Sequence, residues 1–199
     1  MRSNKLFFTY LCLAVSFFLP FNTAIGQPSQ TIFDVISREE PAKITLEADF
    51  TTLLANKKTD DSFPGMLTLS SGKSYMIKLK PKGKYRRKTA EIPPLRVKFP
   101  QKTLVSEGLD TLNEVRLVFP CYDNNLGDEL IIREYLAYRM FEMLSPASVR
   151  ARLVKITVRD THVEKSRKTM FALLLEDNEE TASRLKGVEV EQYGMPMDS

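Results

Sequence analysis

The feature that most narrows what this chain can fold into is a strict alternation of apolar and polar residues that returns several times. Ile44, Leu46, Ala48 and Phe50 alternate with Lys43, Thr45, Glu47 and Asp49. Tyr75, Ile77 and Leu79 alternate with Met76, Lys78 and Lys80, Leu95, Val97 and Phe99 with Arg96 and Lys98, and Val115, Leu117 and Phe119 repeat the pattern. A period of two places successive side chains on opposite faces of a strand, so each segment reads as a strand with one buried and one solvated face. Met66–Leu69 and Tyr75–Leu79 flank Ser70-Ser71-Gly72-Lys73, which makes a hairpin the economical reading of that stretch.

Val149–Val158 and Thr169–Leu175 add two strand candidates, joined by a polar loop from Asp160 to Lys168. The period changes once, over Gly127–Leu144. There Leu130, Ile131, Tyr135, Tyr138, Phe141 and Leu144 recur at spacings of three and four, the mark of a helix with one packed face. Asn124 or Asn125 can cap it, Asp128 and Glu129 suit the positive end of its dipole, and Pro146 stops it. Leu53 and Leu54 continue the first strand into a short helical turn, 81–94 reads as a loop bridging two strands, and a last short helix starts near Asp177 and ends at Gly187. No βαβ alternation and no internal repeat is visible. The expected fold is α+β: an antiparallel sheet of six or seven strands with one long helix inserted between strands.

Residues 1–26 read as an export signal. Arg2 and Lys5 form a basic start, Leu6–Leu19 is nearly all apolar, and Ala24-Ile25-Gly26 offers the small residues a signal peptidase accepts, with cleavage near Gln27. The apolar run is shorter than the ~20 residues that span a bilayer and Pro20 interrupts it, which argues against a retained anchor. Residues 27–42 then read as a flexible leader, 43–187 as the domain and 188–199 as a tail. The expected destination is secreted or periplasmic, with no membrane span after cleavage. Without Arg2 and Lys5 the 29 basic residues become 27 against 25 acidic, so net charge does not point to a nucleic-acid partner. Cys121 is then the single cysteine, so no internal disulfide can form.

The densest chemical signal is local. Lys78, Lys80, Lys82, Lys84, Arg86, Arg87 and Lys88 crowd into eleven residues, with Arg96 and Lys98 close behind. One reading is a solvated strand edge, whose lysines discourage edge-to-edge pairing. The other is a phosphate clamp, in which Gly83 lets the backbone approach an anion and Arg86 and Arg87 offer forked donors. Arg96 and Lys98 share a strand face and are held more firmly than loop residues. Glu134, at the border of the buried helix face, is either a partner for a surface cation or a carboxylate that braces Lys98 or Arg96 toward a phosphate. The run Glu176, Asp177, Glu179 and Glu180 is read as a helix start rather than a metal site, with Glu180 four residues before Arg184. His162 has no Ser or Cys partner in a strong motif, and no GxGxxG, P-loop, HExxH or CxxC occurs.

The order of these pieces resembles secreted proteins related to the CotH spore-coat kinase family. The carriers are Lys78-Leu79-Lys80-Pro81-Lys82-Gly83-Lys84-Tyr85-Arg86-Arg87, then Pro93-Pro94-Leu95-Arg96-Val97-Lys98-Phe99, then Arg133-Glu134-Tyr135-Leu136-Ala137-Tyr138-Arg139. In that family a basic "RG-x-x-R" loop precedes a "PPLRLKF"-like strand and an "EYLAYR"-like helix. Lys82 stands where an arginine is common. The resemblance implies an atypical kinase-like fold with this chain supplying the small, nucleotide-binding lobe. Arg86, Arg87, Arg96 and Lys98 would then be phosphate-side cations and Glu134 the helix carboxylate.

Complete relatives would use ATP and Mg through a larger lobe with an Asn/Asp-containing catalytic segment and a "YDFD"-like metal-binding segment. Nothing after Gly187 matches either, so no cofactor is expected for this chain by itself. The leading expectation is a kinase-like fragment with a nucleotide- or phosphate-facing cationic sheet, inactive alone, its partner a missing second lobe or a homodimer. The alternative is a secreted interaction module whose basic loop binds a polyanion or a protein.

Overall fold

The sheet closes on itself. The computed structural model describes residues 29–189, so the expected signal segment 1–26 and most of the tail lie outside the described residues. Seven strands, β1 (Ala42–Ala48), β2 (Phe63–Leu69), β3 (Ser74–Pro81), β4 (Leu95–Lys98), β5 (Glu114–Val118), β6 (Ala151–Asp160) and β7 (Lys168–Glu176), form a closed barrel in the order β1-β2-β3-β4-β5-β7-β6. Six neighbouring pairs are antiparallel. The seventh, β1 with β6, is parallel and runs from Ala42 opposite Val154 to Ala48 opposite Asp160.

This corrects the expected fold. The strands and the long helix form, but the open antiparallel sheet of a kinase-like small lobe does not: the result is a closed mixed barrel with six helices among the described residues. Closure rests on a pairing between segments roughly a hundred residues apart, which no local alternation encodes. Once closed, the sheet has no edge to protect.

Strand phase sorts the side chains. Ile44, Leu46, Leu67, Ile77, Leu79, Leu95, Val97, Leu117, Val154, Ile156 and Leu174 fill the interior, each almost wholly buried. The hairpin forms as expected, with Gly72 at φ +84°, a left-handed backbone that glycine adopts without strain. Short helices close the two mouths. The segment read as a flexible leader contains α1 (Ile32–Ile36), whose Ile32, Phe33 and Ile36 are buried in the barrel core. At its start the Thr31 side chain accepts a hydrogen bond from the Asp34 amide, while the Asp34 carboxylate accepts from the Thr31 amide. α2 (Phe50–Ala55) follows β1 and contributes Phe50 and Leu53, and α4 (Gln101–Ser106) contributes Leu104. α3 (Arg86–Thr89) interrupts the basic loop before β4.

The long helix, α5 (Asn125–Leu144), is capped by Asn124, whose side chain accepts from the Gly127 amide, in line with the sequence reading. It lies outside the barrel over β6 and β7, where Ile131, Tyr135 and Tyr138 pack on Val118, Leu153 and Leu173. Its first turn presses so closely on the preceding loop that a Cβ at Gly127 would sit 2.0 Å from the Tyr122 carbonyl oxygen. Gly127→Ala should therefore lower stability by about 1–3 kcal/mol, readable as a reduced midpoint in urea unfolding.

The mouth occupied by α1 is sealed by charge. Arg150, at the foot of β6, donates to Asp34 (2.8 Å), to Glu176 (3.0 Å) and to Glu180 (2.7 Å) on α6 (Asn178–Arg184), and its guanidinium lies over the Phe33 ring. Arg184 donates to both oxygens of Glu176 rather than pairing with Glu180 four residues earlier in the same helix. Asp177 caps α6, as the sequence suggests. Glu176 and Glu180, however, are sequestered: they are 0% and 2% exposed and serve the arginines.

Burial pushes the Glu180 carboxyl up to about 7 despite its Thr31 and Arg150 bonds, with Glu176 and Asp34 adding repulsion. The native state thus holds this proton more tightly than the unfolded chain, whose glutamate titrates near 4.5. That contribution to stability is full below 4.5 and is lost as pH rises through about 7. Thermal melts of Glu180→Gln across this window should lack the decline seen in the parent chain.

Candidate functional site

Alternation that sends Leu79, Leu95, Val97, Val115 and Leu117 inward sends their neighbours outward, and on three adjacent strands those neighbours are cations. Register places Lys78 opposite Lys98 and Lys80 opposite Arg96 across β3 and β4. It places Arg96 opposite Arg116 and Lys98 opposite Glu114 across β4 and β5. Like charges directly opposite each other destabilise a sheet, so three such pairs side by side need a counterweight.

Glu114 supplies part of it. Lys98 donates to its Oε1 at 2.8 Å, and Arg96 Nε stands 3.2 Å from its Oε2, off the axis of a hydrogen bond. Arg116 donates through Nη2 to the Glu176 carbonyl at 2.8 Å, with its Nε 3.9 Å from Asp177. The Nε atoms of Arg96 and Arg116, on neighbouring strands, are both buried without a hydrogen-bond partner. An unmade bond at a buried donor is costly, and here the carboxylates of Glu114 and Asp177 offset that cost by charge alone. Lys82 extends the face from the end of β3, and its ammonium is held below the usual lysine range by burial and by the neighbouring charges of Arg96 and Lys80. Six cations, Lys78, Lys80, Lys82, Arg96, Lys98 and Arg116, thus lie on or beside this face, with Glu114 paired to Lys98 and Arg96, Asp177 near Arg116, and the charge of Asp60 acting with Lys80 and Lys82.

The expected site residues divide. Arg96 and Lys98 come together as read, but the carboxylate between them is Glu114 of β5. Glu134 pairs instead with Arg86, Nη2 to Oε2 at 2.7 Å, joining α3 to α5 beside a hollow of about 510 Å³ lined by Phe119, Cys121, Tyr122 and Ile131. Both partners of that pair are about one-third exposed. Arg87 is committed elsewhere: it donates to the Lys57 and Thr59 carbonyls and pairs with Asp60, stapling the loop before β2. Arg116 is the residue that sequence reasoning passed over. Its signal was the outward phase between Val115 and Leu117, but only the β4–β5 register puts it beside Arg96.

The acidic run 176–180 holds arginines, and among the described residues no group of His, Cys, Asp and Glu is arranged to hold a metal ion. His162 stands 3.8 Å from Asp49 on an exposed loop, with no nucleophile beside it in the described contacts. No helix among the described residues is long and apolar enough to cross a membrane. Comparison with protein-family models, with curated proteins and with solved structures finds no match for this chain.

Glu114 is predicted to be the stabilising centre of the face. Glu114→Gln should cost about 1 kcal/mol at low salt, since it leaves like-charged cross-strand pairs unopposed. Most of that loss should vanish at ~1 M salt, where the screening length falls to about 3 Å, as thermal melts at the two ionic strengths would show.

Proposed function

We propose that this protein is an exported, non-catalytic module that binds an extended polyanion of the acidic-polysaccharide kind on the outer face of β3, β4 and β5. The observation that carries the reading is a field of six cations in which Lys98 and Arg96 share Glu114, and the Nε–H groups of Arg96 and Arg116, ion-paired at 3.2 and 3.9 Å, make no hydrogen bond. Guanidinium forks suit sulfate, phosphate and carboxylate groups. The outer wall of a closed barrel is convex, so it offers no cleft to enclose a small nucleotide. It presents charges ~4.8 Å apart across strands and ~7 Å apart along them, a lattice for a chain that bears many anions. Binding therefore moves from the basic loop, where Arg87 is already occupied, to the sheet. The basic start and apolar run of residues 1–26 support export to the secreted or periplasmic side.

A second reading keeps the CotH relationship: a nucleotide-facing piece of a phosphotransferase that needs further parts for catalysis. One observation favours it, the cation–carboxylate bridge from Arg86 to Glu134 beside an open hollow, since kinases hold a phosphate-side cation through a helix glutamate. ATP and Mg would enter only there.

The two readings separate by mutation. Binding of the chain from Gln27 onward to a sulfated polysaccharide should weaken at least tenfold in Arg96→Ala/Arg116→Ala, with the slope of log K against log salt falling by about 1–2. Arg86→Ala should leave it unchanged. Undiminished binding in the double variant, or ATP-dependent phosphorylation of any acceptor by the purified chain, would refute the polyanion reading.

A further inference from the structure

α5 is apolar on both sides. Its inner face packs on the barrel, yet its outer face carries Leu126, Leu130, Ala137, Met140 and Leu144 in solvent, with Leu136, Phe141 and Met143 beside them. Exposure runs from 40% at Leu130 to 86% at Met143. Such a band on a surface otherwise rich in charge marks an interface.

The spacing says what shape covers it. Leu126, Leu130, Arg133, Ala137, Met140 and Leu144 follow one another at intervals of four, three, four, three and four. That is the 3.5-residue repeat of a seam between two helices, not the broader stripe that faces a sheet. We infer that the outer face of α5 is a dimer interface, covered by α5 of a second copy of this chain in antiparallel orientation.

Three observations select this occupant. The first is register. Turned end to end about a two-fold axis, the seam sets Leu126 against the second copy's Leu144, Leu130 against its Met140, and Arg133 against its Ala137, so the one long charged side chain meets the one small residue. A parallel pairing would oppose Arg133 to its own copy and leave Ala137 facing Ala137. The second is charge. Arg133, the only charged residue in the seam, is already paired with Glu129 one turn earlier in its own helix, so what enters the interface is an ion pair rather than a bare cation.

The third is area. α5 is about 30 Å long, and its exposed apolar side chains offer on the order of 800 Å², the contribution of one partner to a standard-sized interface. A membrane surface fits less well, because a helix lying in the headgroups needs its opposite face polar and solvated, and here that face is docked on β6 and β7. The interface is independent of the cationic face.

The test is sedimentation equilibrium on the chain from Gln27 onward, which contains every barrel residue, with far-UV circular dichroism to confirm that each variant folds. The parent chain should be a dimer. Leu130→Lys alone and Met140→Glu alone should each raise the dimer dissociation constant at least tenfold. Together in one chain they should restore it to within about threefold, because the two-fold axis sets each lysine against the other copy's glutamate. A parent chain that stays monomeric at ~100 μM, a double variant no tighter than the single ones, or a monomer that partitions onto phosphatidylcholine vesicles would each overturn the inference.

Discussion

The parallel pairing of β1 with β6 is the constraint on which the rest of the structure depends. With it, each of the seven strands has two neighbours and the interior is a column of aliphatic and aromatic side chains. Without it, β1 and β6 would be bare edges and the core would lie open along one side. Closure also decides what the outward residues mean. Lys78 and Lys80 would be guards against aggregation on an edge strand, but here β3 lies between β2 and β4 and has no edge to guard. Their clustering with Arg96 and Arg116 then follows from strand phase and register.

Two arginine systems on the same barrel differ in how fully they are satisfied. Arg150 and Arg184 are surrounded by Asp34, Glu176 and Glu180 and knit α1, β6, β7 and α6 into one mouth of the barrel. Of these groups Glu176 and Glu180 are buried: both Glu176 oxygens accept hydrogen bonds, whereas Glu180 accepts through Oε1 and leaves Oε2 without a hydrogen-bond partner. Arg96 shares Glu114 with Lys98, Arg116 donates to the Glu176 carbonyl beside Asp177, and the Nε of each arginine makes no hydrogen bond. The first system accounts for structure alone. The second makes fewer hydrogen bonds at its arginines, and the proposed polyanion reading rests on that imbalance.

Much of the fold was legible locally. The phases of β1, β3, β4 and β5 follow from their alternation, the 70–73 turn from its Ser-Ser-Gly sequence, and the start of α5 from Asn124. What local reading could not supply was pairing across distance. The kinase-like open sheet failed because it left β1 and β6 apart. The leader reading of 27–42 missed α1 because Ile32, Phe33 and Ile36 are too few to announce a buried plug until a barrel mouth exists to receive them. Among the candidate site residues, Arg96 and Lys98 share a strand face as their alternation indicated. Glu134 pairs with a surface cation, Arg86, as one of its two readings had it, and does not brace Lys98 or Arg96; Arg116 was overlooked because its place beside Arg96 depends on which strands are neighbours.

By itself, then, the sequence determined the strands and the long helix, which face of the alternating strands turns inward, and that a concentrated positive charge follows the hairpin. These are properties of neighbours two to four residues apart, and side-chain periodicity records them directly. Only the tertiary structure decided that the sheet closes, that Glu114 rather than Glu134 sits among the strand cations, and that the outer face of α5 is left uncovered. Each of these arises between residues far apart in the chain, where register and packing choose the partner and local pattern carries no information about it.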